Sequence, residues 1–212
     1  MKTLAAIVLL ATARGARAAD ATIQTVVIPL RENWDDAVGW DITETSQRAY
    51  PNPSSNPWAE ILIGDASTHY QMSNIRTYFR FKLDLPQNPR IVGARILFHC
   101  SASGSTTPKL DIRAVESPEP SFQGDPRTLP LSASSVPWEN EENDWVWEAK
   151  ADRQYNTPDL SALVRDFVAK YGPTATIGFV ILNRPGNKDN FKGIISFDDG
   201  PQLSARLEID YR

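Results

Sequence analysis

The chain has 212 residues, of which 41% are hydrophobic and 23% are charged, with 16 prolines against 11 glycines. This composition excludes a disordered polyelectrolyte and a protein with several membrane spans, and it favours short strands joined by fixed loops. The 22 basic and 26 acidic residues give a net charge of -4 without a dense Lys/Arg tract, so no nucleic-acid partner is expected. One cysteine and two histidines are too few for an internal disulfide or a Cys/His zinc site.

The N-terminus has the features of a secretory signal peptide over residues 1–18. Lys2 is followed by an apolar run from Leu4 to Ala13, and Ala16-Arg17-Ala18 is a small-x-small pattern of the kind that signal peptidase cleaves. Because crossing a bilayer takes roughly 20 residues, a retained anchor is the less favoured alternative. Cleavage after Ala18 removes three basic residues and takes the net charge from -4 to -7. We therefore expect a secreted protein, extracellular or periplasmic, with no membrane span after cleavage.

Most of the mature chain is predicted to form strands. The clearest pattern runs from Arg76 to Leu83, where apolar and polar side chains alternate, so that Thr77, Phe79, Phe81 and Leu83 face the core. Further strands are predicted at residues 23–28, 60–64, 91–100, 109–115, 177–182, 194–197 and 203–211, with a short edge strand at 146–147. The alternation of 91–100 places the Cys100 thiol on an apolar face, which indicates a core residue and not a nucleophile.

One segment is predicted to be a helix. Thr157 is a suitable N-cap, Pro158 suits the first helical position, and Gly172 follows an apolar stripe formed by Leu160, Leu163, Val164, Phe167, Val168 and Tyr171. About eight strands and one helix predict an all-β protein, a two-sheet jelly-roll β-sandwich with one amphipathic helix packed on it. Residues 31–57 are expected to be a long polar connection, and residues 116–144 an ordered but irregular excursion. We assign 19–57, an N-terminal strand and long loop, to the same domain as the jelly roll at 58–212.

Several short motifs follow one another in a characteristic order: Ile61-Leu62-Ile63-Gly64, Arg76-Thr77-Tyr78-Phe79-Arg80-Phe81-Lys82-Leu83, Ala94-Arg95-Ile96-Leu97, Trp138-Glu139, Tyr155 to Leu160, Ile177-Gly178-Phe179, Pro201-Gln202-Leu203 and Ile209-Asp210-Tyr211. In this order they resemble the DNRLRE-type domain, which overlaps the alginate-binding carbohydrate-binding module family 96. The resemblance implies an extracellular β-sandwich that binds an acidic polysaccharide, often beside a catalytic domain. The chain departs from that family at Lys82, where an acidic residue is usual, and in the acidic run at 139–144.

The predicted ligand-binding residues are Arg76, Tyr78, Arg80 and Lys82, on the polar side of one strand. A uronate polymer carries about one carboxylate per sugar, which arginine and lysine can bind while an aromatic ring covers the apolar side of the sugar. The alternative is that these cations form cross-strand salt bridges with acidic neighbours.

Other residues were weighed as metal, anchor or catalytic groups. Glu139, Glu141, Glu142 and Asp144, and separately Asp198-Asp199-Gly200, have the oxygen ligands that calcium prefers, but solvated acidic loops are the favoured interpretation, so no cofactor is predicted and calcium is the alternative. Trp138 is predicted to be a core anchor.

The sequence contains none of the common hydrolase, dinucleotide, phosphate-loop or zinc-protease motifs. The function predicted is therefore a secreted non-catalytic carbohydrate-binding module for an acidic polysaccharide. One alternative is a small polysaccharide lyase that uses His69-Tyr70 with Arg76 and Tyr78. Another is a structural or assembly module of the cell envelope with an envelope protein as its partner.

Overall fold

A computed structural model describes residues 22–32, 35–42, 47–50, 60–67, 72–103, 108–123, 125–139, 154–187, 190–198 and 200–212. These residues form twelve strands and the helix α1 (Ser161–Tyr171). The strands are β1 (Gln24–Pro29), β2 (Asp36–Ile42), β3 (Gln47–Tyr50), β4 (Glu60–Gly64), β5 (Met72–Lys82), β6 (Ile91–Ser103), β7 (Leu110–Val115), β8 (Val136–Trp138), β9 (Gln154–Asn156), β10 (Thr176–Asn183), β11 (Phe191–Ile195) and β12 (Arg206–Tyr211).

The strands form two antiparallel sheets. The first sheet has the order β1-β12-β6-β11-β4, with β9 also paired to β6. The second sheet has the order β3-β2-β5-β10-β7-β8. The predicted all-β architecture, a two-sheet sandwich with one helix packed on it, is confirmed.

The core lies between the two sheets and is built by strict alternation along their central strands. On β5, Thr77, Phe79 and Phe81 are buried as predicted, and the hydroxyl of Thr77 donates to the carbonyl oxygen of Leu62 at 2.6 Å. Phe79 meets Phe98 of β6 across the sandwich, with ring centroids 5.3 Å apart. Each fully buried side chain of this size contributes about 1.5–3 kcal/mol of transfer free energy, so this alternation is sufficient to fix which face of β5 points inward.

Two predictions about the core residues of β6 and β8 are confirmed. Cys100 is buried with 0% exposure on the apolar face of β6, so its thiol is a core group. Trp138 is 2% exposed and stacks on Phe98 with centroids 6.0 Å apart, which makes it a core anchor.

The long polar connection predicted at 31–57 is wrong in part, because it contains β2 and β3. Both strands extend the second sheet beyond β5, with Val38 opposite Thr77 and Tyr50 opposite Val38. In β2 two aspartates and a glycine interrupt the β-forming Val, Trp and Ile, and β3 has only four residues, so neither shows a clear alternation and their pairing depends on the neighbouring strand. The strands β8 and β9 were missed because three residues are too few to show a period of two, while the edge strand predicted at 146–147 lies outside the described residues.

The helix begins later than predicted. Thr157 is not its N-cap, because the Thr157 hydroxyl accepts a hydrogen bond from the backbone N–H of Ile96 at 3.0 Å and is used to hold the edge of β6. The predicted end is confirmed, since Gly172 has a φ of +94° and donates its N–H to the carbonyl of Val168. Within the described residues, no helix is long and apolar enough to cross a membrane. The predicted signal peptide, residues 1–18, lies outside them.

Candidate functional site

The predicted site residues lie on the outer face of the second sheet. Arg76, Tyr78, Arg80 and Lys82 alternate with the core residues of β5, and the register places Leu182 opposite Arg76 and Val180 opposite Tyr78. On the far side of β10, Arg113 of β7 lies opposite Val180. This face therefore carries side chains from β5, β10 and β7. One half of the face is covered, and the side chains of the other half are partly exposed.

A covering loop (residues 116–123 and 125–135) closes the half near Arg80 and Lys82. Its Pro120 packs on Gly178 of β10, where a Cβ atom would come within 3.0 Å of the Pro120 ring. The loop also carries Phe122, which is 0% exposed. Because Gly178 has no side chain, the loop can approach the backbone of β10 closely.

Arg80 is held in ion pairs beneath this loop. Its Nε is 2.7 Å from Asp35 Oδ1, its Nη2 is 2.7 Å from Glu32 Oε1, and its Nη1 donates to the carbonyl of Pro120 at 3.1 Å. The Arg80 side chain is 15% exposed, and each of its three guanidinium nitrogens has a partner within the protein. The salt-bridge alternative raised from the sequence describes Arg80 better than a ligand-binding role.

Lys82 is also paired, although it is more exposed than Arg80. Its Nζ is 3.1 Å from Glu119 Oε1, and Thr176 donates to the other oxygen of Glu119 at 2.9 Å. These hydrogen bonds, first from Thr176 and then from Lys82, lower the pKa of the Glu119 carboxyl. The ion pair lies at the surface, where such pairs are worth about 0–1 kcal/mol.

Tyr78 does not form the exposed aromatic platform that the alternation of β5 predicts. It is 1% exposed and packs in a small second core with Ala37, Val180 and Phe122, the last at a ring-centroid distance of 5.5 Å. Burial raises the pKa of the Tyr78 hydroxyl against the opposing effect of Arg76. Tyr78 is therefore unavailable to stack on a sugar, and it is equally unavailable to move a proton in a lyase reaction.

The other half of the face contains Arg76 and Arg113, both partly exposed, which lie on either side of β10 and which we call the arginine pair. In the part of the chain that the structure describes, neither residue forms a salt bridge with a carboxylate. The Nε of Arg113 is buried and has no hydrogen-bond partner, a condition that costs about 1–3 kcal/mol. Leu182 lies opposite Arg76 and diagonal to Arg113, and it is partly exposed and packs against the small second core around Tyr78.

The acidic residues around the arginine pair are bound to other cations. Asp125 accepts from Arg127 through both carboxylate oxygens, at 2.8 and 2.7 Å, and these bonds lower its pKa. Asp111 and Glu139 both pair with Arg184. Arg76 also helps to lower the pKa of Asp125, so its positive charge is partly offset, although neither arginine of the pair forms a salt bridge with a described carboxylate.

Arg113 was not identified from the sequence as a site residue. Its outward direction follows from the alternation of residues 109–115, but its position beside Arg76 depends on the strand order β5-β10-β7, which the sequence does not reveal. Among the three predicted cationic residues, Arg76 is the one that forms no salt bridge with a carboxylate in the described structure, and it is partly exposed.

The remaining candidates fall only in part within the described residues. Glu139 pairs with Arg184, whereas Glu141, Glu142, Asp144 and Asp199 lie outside the described residues, as do His69 and Tyr70. In the described part of the chain, no group of three or more His, Cys, Asp or Glu residues is arranged to hold a metal ion.

Comparison with known proteins adds no relative. No protein-family model matches the chain, and no curated protein matches it significantly. The resemblance to the DNRLRE-type domain therefore stays a prediction from the order of its motifs.

Proposed function

We propose that the chain is a secreted, non-catalytic module that binds an acidic polysaccharide through the arginine pair, Arg76 and Arg113. The observation that supports this most directly is the contrast in charge pairing on one sheet face. Arg80, Lys82 and Arg184 each have a carboxylate partner, whereas Arg76 and Arg113 have none among the described residues.

The spacing of the arginine pair suits a polymer of uronates. Arg76 and Arg113 are two strands apart and offset by two residues along the strands, because Arg76 is opposite Leu182 and Arg113 is opposite Val180. With about 4.8 Å between strands and about 3.4 Å per residue, their backbones are about 12 Å apart, a distance that a ligand of more than one sugar unit spans. A guanidinium group binds a carboxylate with two parallel hydrogen bonds, which a lysine cannot do. Leu182, opposite Arg76, is partly exposed and offers apolar surface to the C–H side of a sugar ring.

The secreted chain, cleaved after Ala18, has a net charge of -7, which opposes a polyanion at long range. A local cationic patch overrides this repulsion within a Debye length of about 8 Å at physiological salt. We therefore expect binding that depends on direct contact with the arginine pair and weakens as salt is added.

The test compares two double variants of equal charge change. Arg76→Gln with Arg113→Gln removes the arginine pair, and Arg31→Gln with Arg90→Gln removes two exposed arginines elsewhere. Binding to a soluble polyuronate is measured by calorimetry at low and at physiological salt. We expect the first variant to bind about tenfold or more weaker, since charged hydrogen bonds are worth about 1.5–3 kcal/mol, and the second to bind as the parent does.

Equal loss in the two double variants would show that net charge alone drives binding, and unchanged binding in the first would remove the arginine pair from the site. Secretion is tested separately by N-terminal sequencing of protein recovered outside the cytoplasm. The expected N-terminus is Ala19, which follows the predicted cleavage site.

A further inference from the structure

A groove with a volume of about 340 Å³ lies on the outer face of the first sheet. Its floor is formed by residues 93–95 of β6, one wall by Glu208 and Asp210 of β12, and the other wall by Asn156, Thr157 and Asp159. This volume is at the lower end of the range of about 300–1,000 Å³ that small-molecule sites occupy. The groove and the arginine pair belong to different sheets.

Gly93 shapes the groove by leaving space above the floor. It lies opposite Asp210 in the register of β6 and β12, and a Cβ atom at Gly93 would come within 3.0 Å of Asp210 Oδ2. The other oxygen, Asp210 Oδ1, accepts from the hydroxyl of Thr25 at 2.6 Å. The carboxylate of Asp210 therefore rests over a glycine with one oxygen held by β1.

The far wall is held in place by Asp159, whose carboxylate accepts three hydrogen bonds from neighbouring residues. Its carboxylate accepts from the N–H of Ala94 at 3.0 Å, from the N–H of Ser161 at 3.0 Å and from the Ser161 hydroxyl at 2.7 Å. Burial works to raise the pKa of Asp159, but these hydrogen bonds outweigh burial and lower it. Asp159 fixes the wall and has little capacity left for a ligand.

Hydrogen-bonding capacity remains on the other lining residues. Arg95 Nε donates to Glu208 Oε2 at 2.6 Å, which leaves Glu208 Oε1 without a bond in the described structure. Asp210 Oδ2 and the side-chain amide of Asn156 are likewise unused there. The groove thus presents carboxylate acceptors beside an amide and a guanidinium that donate.

This mixture suits hydroxyl groups, because each hydroxyl both donates and accepts. The groove contains Asp159, Glu208 and Asp210 against Arg95 alone, a formal charge of -2, so it disfavours a uronate. We propose that the groove is a second binding site and that it takes a neutral saccharide unit through vicinal hydroxyls. This site does not rest on the arginine pair, and its ligand differs from a uronate in charge.

The test is a titration of the full mature chain with neutral disaccharides, namely maltose, cellobiose and mannobiose, followed by amide chemical shifts in NMR spectra. We expect at least one of them to shift the amides of residues 93–95, 156, 157, 159 and 208–210. Asp210→Asn and Asn156→Ala are each expected to weaken that binding about tenfold, and Gly93→Ala to do so by displacing the Asp210 carboxylate without changing the charge. Asp166→Asn, on the exposed side of α1, is the matched control and is expected to bind as the parent does.

Three results would overturn the proposal: no neutral disaccharide shifts these amides, the three groove variants bind like the control, or chitobiose with free amino groups binds while the neutral disaccharides do not. The double variant Arg76→Gln with Arg113→Gln separates the two sites, because it is expected to keep neutral-sugar binding whether or not the polyuronate site exists.

Discussion

Replacing Asp36 with asparagine is expected to stabilise the protein at neutral and alkaline pH. Asp36 lies at the start of β2 with 0% exposure, and one carboxylate oxygen accepts from the N–H of Phe197 at 2.9 Å, which ties the second sheet to the turn after β11. The other oxygen, Oδ1, is buried without a hydrogen-bond partner. An amide in place of the carboxyl keeps the acceptor for the Phe197 N–H and carries no charge at any pH.

The expected size of the effect follows from the pKa of Asp36. Burial is the main cause that raises it from 3.8 to about 7; the hydrogen bond from Phe197 opposes the rise, and the charges of Asp198 and Asp35 add to it. The folded state therefore favours the protonated carboxyl, while the unfolded chain ionises near 3.8. The contribution of protonated Asp36 to the free energy of unfolding is fully present below pH 3.8 and is lost as the pH rises through about 7. The total loss is about 4 kcal/mol, at roughly 1.4 kcal/mol per pKa unit.

The assay is urea unfolding of the parent and of Asp36→Asn between pH 4 and pH 7.5. Burial lowers the pKa of Lys192 from 10.5 to about 8, so Lys192 begins to lose its proton at the top of this window, but it does so in the parent and in the variant alike and its effect cancels in their difference. We expect the variant to be about 2–4 kcal/mol more stable than the parent at pH 7.5, and the gain to shrink towards zero at pH 4. Asp84→Asn, at an exposed carboxyl, is the control. A gain that does not vary with pH, or a variant less stable than the parent at pH 7.5, would refute the reasoning.

Three further predictions concern the stability of the sandwich, and each is measured by urea unfolding. Gly64→Ala is expected to prevent stable folding, because its Cβ would lie 2.1 Å from a backbone oxygen. Gly172→Ala has nothing within 4 Å of its Cβ but keeps a φ of +94°, so it should cost only about 1–3 kcal/mol of strain. Equal losses of stability in the two variants would contradict the steric argument. Thr157→Val removes the acceptor of the buried Ile96 N–H and should cost about 1–3 kcal/mol, with faster hydrogen exchange at that amide; unchanged exchange would contradict it. Phe122→Ala should cost about 3 kcal/mol and expose the tyrosine beneath the covering loop, seen as a change in near-UV circular dichroism; an unchanged spectrum would contradict it.

The central strands could be predicted from the sequence because burial on one face imposes a period of two. The strand predicted from Arg76 to Leu83 falls on β5, and the one predicted at 60–64 coincides with β4. The helix was predicted from its apolar stripe, although its start was placed too early because Thr157 bonds to β6 instead of capping α1. Local patterns therefore identified the elements whose own side chains fill the core.

The edge strands and the ion pairs could not be predicted, because the residues with which they pair are distant in the sequence. Arg80 is bound by Asp35 and Glu32, which precede it by 45 and 48 residues. Those acidic residues lie beside β2, a strand that pairs through its backbone and carries no strong local signal. Alternation correctly assigned Arg80 to the outer face, but an outer face is not the same as an exposed one.

The burial of Tyr78 shows the same distinction at the site itself. Alternation places Arg76, Tyr78 and Arg80 on one side of β5, yet only the covering loop decides which of them a ligand can reach. Because Phe122 covers the half that holds Arg80, a ligand bound to this face would contact Arg76 first. The nearest guanidinium without a salt bridge in the described structure is that of Arg113 on β7. Recognition at this face would therefore be set by strand order and loop packing together, and a variant that loosens the loop should broaden the site towards Arg80 while weakening the fold.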